Sequence, residues 1–315
     1  VLVHNIPHYI NQNKNTPAAA SLSLSDPVRV LSDCALCPRD CHVNRLQGQR
    51  GFCGESGVLR AARAALYYTE EPVISGRNGS GTVFFSGCNL GCIYCQNRAI
   101  SRQAVGTPMD AQQLRAVFEE LIGQGAENID LVTPTQYLPT ILPALEPKLP
   151  VPVVYNCGGY ERVATLKQLS GKVDIYLPDL KYSDKALGRD LSGAENYFSV
   201  AKLALKEMVR QTGSPQWEGA KLVRGTVVRH LILPGQVENS LRCLDWLGDH
   251  FKSGEILVSL MRQYTPMEAT ANMPPFDRKI TDEEYDAVLS WMYLNGLEGF
   301  IQEDEAADTQ FIPDF

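Results

Sequence analysis

Seven of the nine cysteines in this 315-residue chain fall into two tight groups, and those groups are where chemistry can be read first. Cys88, Cys92 and Cys95 form C-x3-C-x2-C within "FFSGCNLGCIYCQN", and Cys34, Cys37, Cys41 and Cys53 form C-x2-C-x3-C-x11-C. Thiolates spaced this closely hold metals. Three of them can ligate three irons of a cubane 4Fe-4S cluster and leave the fourth iron without a protein ligand. An open coordination position is what separates a catalytic centre from a closed structural one. Gly87 and Gly91 would let the loop bend around a cluster and turn N–H groups towards its sulfides. The competing reading completes the set with a distant fourth ligand, Cys157 or Cys243, and gives an electron-transfer cluster or a zinc site. The N-terminal quartet can close an all-cysteine zinc site or hold a second cluster, and its spacing does not choose between them. Either metal would stand in for the core that so short a module lacks. His42, inside the quartet, is a rival ligand.

An odd cysteine count grouped in this way does not resemble a secreted disulfide framework. It indicates metal ligation in a reducing compartment, so the expected location is cytoplasmic. Formal net charge is −7, from 29 basic and 36 acidic residues, and no Lys/Arg run stands out. No nucleic acid and no anionic membrane surface is therefore expected as the main partner. No apolar stretch reaches the ~18–20 residues of a membrane span, and the N-terminus shows no basic-then-apolar leader.

The elements that must position these cysteines follow from periodicity. Apolar β-type runs occur at 82–85, 128–132, 151–155, 173–177, 227–233 and 256–261, with helical patterns between them at 160–170, 194–211 and 238–251. In "TPMDAQQLRAVFEELIGQG", Thr107 and Asp110 read as a capping box with Pro108 at the first helical position, and Gly123 or Gly125 as the stop. Thr281 and Glu284 cap a last helix that ends at Gly296. Six strands with helical crossovers make an α/β fold built on a parallel repeat, either an open barrel or a doubly wound sheet. The expected division is an extension over 1–30, a Cys-rich module over 31–75, a core over 76–270 and a C-terminal helix and tail over 271–315.

Both architectures gather ligands at the C-terminal ends of the strands, which is where the three-cysteine loop lies. Asp179 and Lys181, two apart at the end of the 173–177 run, should point to the same side, towards the mouth. Thr133 and Thr135 offer hydroxyls in "TPTQY", or simply cap a turn. Asn156 precedes Cys157 and the pair Gly158–Gly159, which would admit a close ligand. Cys157 is an active-site thiol or an inert, half-buried one, and Cys243 belongs to a helix core. His230 reads as a satisfied interior histidine. Arg39, Arg45 and Arg50 read as solvated, or as a grip on an anion or on the barrel mouth.

The motif with Tyr94 before its last cysteine resembles the radical S-adenosylmethionine (SAM) superfamily. "LCPRDCHVNR…GFCG", "NCGGYE", "DIYLPDLKYSD", "RHLILPG" and "SLMRQYTPM" extend the resemblance to the uncharacterised proteins similar to pyruvate formate-lyase-activating enzyme, related to the AmmeMemoRadiSam group. The resemblance implies a partial (β/α)6 TIM-like barrel with an N-terminal Cys-rich module and a short C-terminal extension. It also implies a 4Fe-4S cluster on Cys88, Cys92 and Cys95 whose free iron chelates S-adenosyl-L-methionine. One-electron cleavage would give a 5′-deoxyadenosyl radical that abstracts hydrogen. Tyr94 would lie near the adenine, and Asn97, Thr133, Thr135, Asn156, Asp179, Lys181 and Gln263 or Tyr264 would form the cosubstrate's surroundings. The sequence departs from the superfamily where "TPTQY" replaces a Gly-Gly-Glu, which takes away a carboxylate. A one-electron donor such as flavodoxin or ferredoxin is implied as a partner. Substrates in view are a glycine of a partner protein, a peptide or a small molecule. A non-catalytic iron–sulfur adaptor is the alternative from another class.

Overall fold

The computed structural model describes residues 23–301. Most of the expected N-terminal extension and the tail "FIPDF" lie outside the described residues. Residues 27–30 do not continue an extension. They open the short helix Pro27–Ser32, with Asp26 accepting from the Arg29 N–H at 3.1 Å and Pro27 in the first turn, and Val30 and Leu31 are buried.

The strands are β1 (Leu59–Tyr67), β2 (Ser80–Phe85), β3 (Thr107–Met109), β4 (Ile129–Val132), β5 (Val153–Cys157), β6 (Ile175–Pro178), β7 (Gln216–Glu218), β8 (Lys221–Leu231), β9 (Leu257–Met261) and β10 (Gly299–Ile301). They join in one sheet of order β10-β9-β8-β6-β5-β4-β2-β1-β3, with β7 paired to β8. β2, β4, β5, β6, β8 and β9 are the six expected strands, all parallel, with helices as crossovers. β1 and β3 add an antiparallel edge, and β10 a parallel one. The sheet curls, because residues from all six central strands or their ends wall one cavity: Phe84, Val132, Asn156, Asp179, Arg229 and Ser259. It stays open, since β3 and β10 end the order unpaired with each other.

Alternation along each strand sorts side chains into layers. Tyr155, Tyr176, Val228 and Val258 face the helices Tyr197–Thr212 and Val237–His250. Val154, Ile175, Leu177, Val227 and Leu257 face inward, where Ile74 of the turn Pro72–Ser75 packs against them. This apolar inner layer closes the barrel floor, and the polar layer above it carries the site.

Two helix boundaries differ from the sequence reading in their physical detail. The helix Ala111–Gly123 takes its cap from Asp110 and Gln113, not from Thr107, because Thr107–Met109 is held as a strand against β1. The last helix, Asp282–Leu294, has the expected Thr281–Glu284 box; Asn295 is its C-cap, with Gly296 following at φ +66°. No helix among the described residues is long and apolar enough to cross a membrane.

Candidate functional site

The loop that follows β2 carries Cys88, Cys92 and Cys95, and all three line a cavity of about 500 Å³ inside the barrel mouth. Its backbone needs glycine. Gly87 has φ +81°, and a Cβ there would lie 2.7 Å from the Cys53 carbonyl oxygen; Gly91 has φ +70°, and a Cβ would overlap the Arg102 guanidinium. The loop is held by three hydrogen bonds from two sides. Ile93 N–H donates to Leu191 O at 2.9 Å, the Ser192 hydroxyl donates to Cys92 Sγ at 2.9 Å, and Gln96 Nε2 donates to Gln263 O at 3.2 Å.

The three thiols are free, and burial pushes Cys88 up and Cys95 up to about 12. A bound metal reverses that preference, because its charge draws off the proton. Among the described residues, no three His, Cys, Asp or Glu side chains converge on a single metal ion. A cubane cluster distributes its thiolates over separate irons, so this loop of three soft donors fits a cluster better than a lone zinc. Cys88, Cys92 and Cys95 would hold it.

The same cavity holds a charged network. Lys181 Nζ pairs with Asp179 Oδ2 at 2.5 Å, and Arg229 Nε pairs with Asp179 Oδ1 at 3.1 Å. Arg229 also donates to Asn156 Oδ1 at 2.5 Å and meets Glu70 Oε2 at 3.3 Å. Burial opposes the charge of Asp179, but the two cations outweigh it and hold the carboxyl below its usual range. Lys181 and Arg229 are half-buried, which opposes their charge, yet the neighbouring carboxylates raise them. Asp130, which accepts from Asn156 Nδ2 at 3.3 Å, is pushed up by burial to about 7.

Of the residues expected around a cosubstrate, Tyr94, Asn97, Thr133, Asn156, Asp179, Lys181 and Gln263 all wall this cavity. Thr133 does so with an unusual φ of +58°. Tyr264 lines it as well; its hydroxyl donates to Phe276 O at 2.7 Å, and its ring lies 5.8 Å from that of Tyr94. The Tyr94 hydroxyl pairs with that of Tyr182 at 2.5 Å.

Thr135 is the exception. Its hydroxyl donates to Glu161 at 2.8 Å and lies 3.1 Å from the Tyr155 hydroxyl, and it faces the N-terminal cysteines because the turn after Thr133 rotates it out of the mouth. Gly158 lines the cavity, and both glycines are needed for packing: a Cβ on Gly159 would stand 2.1 Å from Asp179 O, and one on Gly158 2.6 Å from Leu90. Cys157 ends β5, fully buried, with its thiol driven well up by desolvation. It lines the same cavity, where the pull of the Gly159 N–H and Arg229 towards a thiolate is outweighed by burial. Cys243 is core.

Arg229, Glu70 and Glu71 were missed. Arg229 had a legible signal, since it is the one charge alternating into "VVRHLIL". It points inward, while His230 points out to the helices, where Nδ1–H donates to Leu180 O at 2.6 Å and Nε2 accepts from Ser240 at 2.8 Å. Glu70 and Glu71 had none, because the segment between β1 and β2 enters the barrel only through tertiary packing.

Cys34, Cys37, Cys41 and Cys53 line a second, small cavity of about 20 Å³ beside Asn89, Thr135 and Gln136. Burial raises the Cys37 and Cys41 thiols and takes Cys53 to about 11. His42 is turned to carboxylates, 2.7 Å from Asp33 and 3.5 Å from Asp40. The module abuts the first loop directly, with Cys88 N–H donating to Cys53 O at 3.3 Å. Arg39 and Arg45 are not solvated. Arg39 donates to the carbonyls of Asn89, Leu90, Ser192 and Gly193 and stacks 3.6 Å over Phe52; Arg45 donates to Gln136 O at 2.6 Å. They fasten the module to the barrel rim.

The chain is similar in part to known proteins. Residues 74–133 match the family described as a 4Fe-4S single cluster domain. Over 287 residues the chain is 27% identical to the uncharacterized protein MJ0674 of Methanocaldococcus jannaschii, a match that covers 87% of this chain and 78% of that one. Streptococcus suis SuiB bound to the precursor peptide SuiA aligns with a TM-score of 0.48 at 13% identity, over 69% of this chain and 46% of SuiB. A radical SAM methyltransferase from Sphaerobacter thermophilus aligns with a TM-score of 0.48 at 15% identity, over 71% and 66%. This chain therefore spans less than half the length of SuiB.

Proposed function

We propose that the protein is a radical SAM enzyme. The reading rests on one observation: three free cysteines on a single glycine-shaped loop share a cavity with Asn156, Asp179 and Lys181 at the strand ends of a parallel barrel. The 4Fe-4S match over 74–133 contains all three. Cys88, Cys92 and Cys95 would hold the cluster, which would supply the electron for reductive cleavage of S-adenosylmethionine and hydrogen abstraction from the substrate. Lys181 and Asn156 would orient polar groups of the cosubstrate, and the Tyr94–Tyr264 pair offers its nucleoside an apolar face.

The cavity volume suits a cosubstrate together with a small molecule or one peptide side chain. It favours that substrate class over the backbone glycine of a folded partner. For the N-terminal quartet the reading is a second metal, iron–sulfur or zinc, and metal analysis of Cys37→Ser beside the parent protein distinguishes the two. Flavodoxin or ferredoxin remains the proposed electron donor.

The test is anaerobic reconstitution with iron and sulfide, then dithionite and S-adenosylmethionine, with 5′-deoxyadenosine as readout and Cys92→Ala as control. Product that depends on Cys92 supports the reading. A full cluster that neither binds nor cleaves S-adenosylmethionine would leave the iron–sulfur adaptor in its place.

A further inference from the structure

The inner wall of the cavity gathers three acids, Glu70, Glu71 and Asp179, beside the fully buried Asp130, and burial raises Glu70 well above its ordinary value and Asp130 to about 7. Glu70, Glu71, Asp130 and Asp179 all act on the one guanidinium of Arg229, and Lys181 pairs with Asp179 beside it. Asp179 takes Lys181 and the Arg229 Nε, while the remaining Arg229 nitrogens go to Asn156 and Glu70. Neither cation is hydrogen-bonded to the other two acids, and Asp130 Oδ2 has the Asn156 amide. Glu71 Oε2 and Asp130 Oδ1 are buried oxygens with no hydrogen-bond partner, in residues only 8% and 0% exposed. A carboxylate in that state costs several kcal/mol unless a cation or a donor meets it. Glu70 and Glu71 themselves wall the cavity, beside the rings of Tyr67, Phe84 and Phe300. Acid and aromatic side chains together are the surroundings in which proteins hold organic cations.

We infer that this wall binds a cationic group, an alkylammonium or guanidinium, carried by the substrate. The group would approach Glu70 and Glu71 from the cavity and supply the positive charge that Arg229 and Lys181 do not. The substrate's reacting carbon would have to reach the 5′ carbon of the cosubstrate while its cationic group lies on this wall. The inference names a substrate class for the activity proposed above and depends on that activity only for its purpose, because the binding can be measured alone.

S-adenosylmethionine also carries an ammonium group, so the test must separate the two sources. Cluster-loaded protein without reductant is titrated calorimetrically with n-butylammonium, n-butylguanidinium and 1-butanol, with and without saturating S-adenosylmethionine. The expected result is that the cations bind at least tenfold more tightly than the alcohol and still bind with the cosubstrate present. The double variant Glu70→Gln, Glu71→Gln should weaken cation binding tenfold or more and leave the alcohol unaffected. Cations that bind no better than butanol overturn the inference, and that comparison needs no variant. Full displacement of the cations by S-adenosylmethionine overturns it too, by giving the wall to the cosubstrate. Cation binding in a protein that fails to form 5′-deoxyadenosine would sink the proposed activity and leave this subsite standing.

Discussion

The Ser192 hydroxyl and the Cys92 sulfur lie 2.9 Å apart, and the direction of that bond orders three further groups. Ser192 has one proton and gives it to sulfur, so the Tyr182 hydroxyl at 2.7 Å must donate to Ser192, and Tyr94 at 2.5 Å must donate to Tyr182. The chain ends on a ligand of the proposed cluster. Hydrogen bonds to cluster sulfurs favour the reduced, more negative form. Removing one bond of roughly 1–2 kcal/mol corresponds to roughly 40–90 mV in a one-electron couple. Ser192→Ala should therefore lower the midpoint potential by that amount in an EPR-monitored titration, and Tyr182→Phe by less. An unchanged potential in Ser192→Ala would mean that the hydroxyl does not reach the sulfur once iron is bound.

Asp179 has two cations, but Arg229 has several carboxylates, so the two basic residues are not equivalent. Lys181→Met leaves Asp179 paired to Arg229 and should cost about 1–2 kcal/mol of stability while weakening S-adenosylmethionine binding tenfold or more. Arg229→Met leaves Asp179 to Lys181 but takes from Glu70 its ion pair and from Glu71 and Asp130 the nearest guanidinium, and should cost about 3–5 kcal/mol at pH 8. Urea unfolding of the two variants tests the order. Equal costs would show that Glu70 and Asp130 are neutral in the native protein.

Gly91 sits at φ +70° with the Arg102 guanidinium in the space a Cβ would need. Arg102 bridges Phe52 O and Leu90 O, so displacing it loosens the cysteine loop from the N-terminal module. Gly91→Ala should cost about 1–3 kcal/mol and lower the iron bound after reconstitution. Gly171→Ala is the control, with φ +77° and open space around it. Iron content equal to the control would show that the loop tolerates the side chain.

Local chemistry was what the sequence could show. The C-x3-C-x2-C spacing, the inward alternation of Asp179 and Lys181 and the Thr281–Glu284 box depend on neighbours a few residues apart, and each is found where its period puts it. What stayed hidden depends on long-range contact. Glu70 and Glu71 reach the barrel interior because β1 turns back antiparallel onto β2, and no period marks that return. Arg39 and Arg45 looked like solvated surface charge until the carbonyls they grip, some 50 to 150 residues away, were in place. Thr135 went wrong by one turn of backbone: the positive φ of Thr133 redirects the chain, and composition does not announce a left-handed threonine.

His230 makes the pH dependence testable away from any metal. Burial takes its imidazole down from 6.5 to about 4, against the opposing pull of the Leu180 carbonyl. Above pH 6.5 the ring is neutral in the folded and unfolded chain alike, and its packing contributes in full. As pH falls below 6.5 the unfolded chain binds the proton first, so stability drains until the folded ring also protonates near 4. The loss is about 2 kcal/mol between pH 7.5 and 5. In His230→Gln the amide can still donate to Leu180 O and accept from Ser240, without a titrating group. The stability gap between parent and variant should therefore narrow by about 2 kcal/mol over that interval, measured by urea unfolding at both pH values. A gap that stays constant would mean that His230 keeps an ordinary affinity for protons, and hence that water reaches the layer between β8 and the helix Val237–His250.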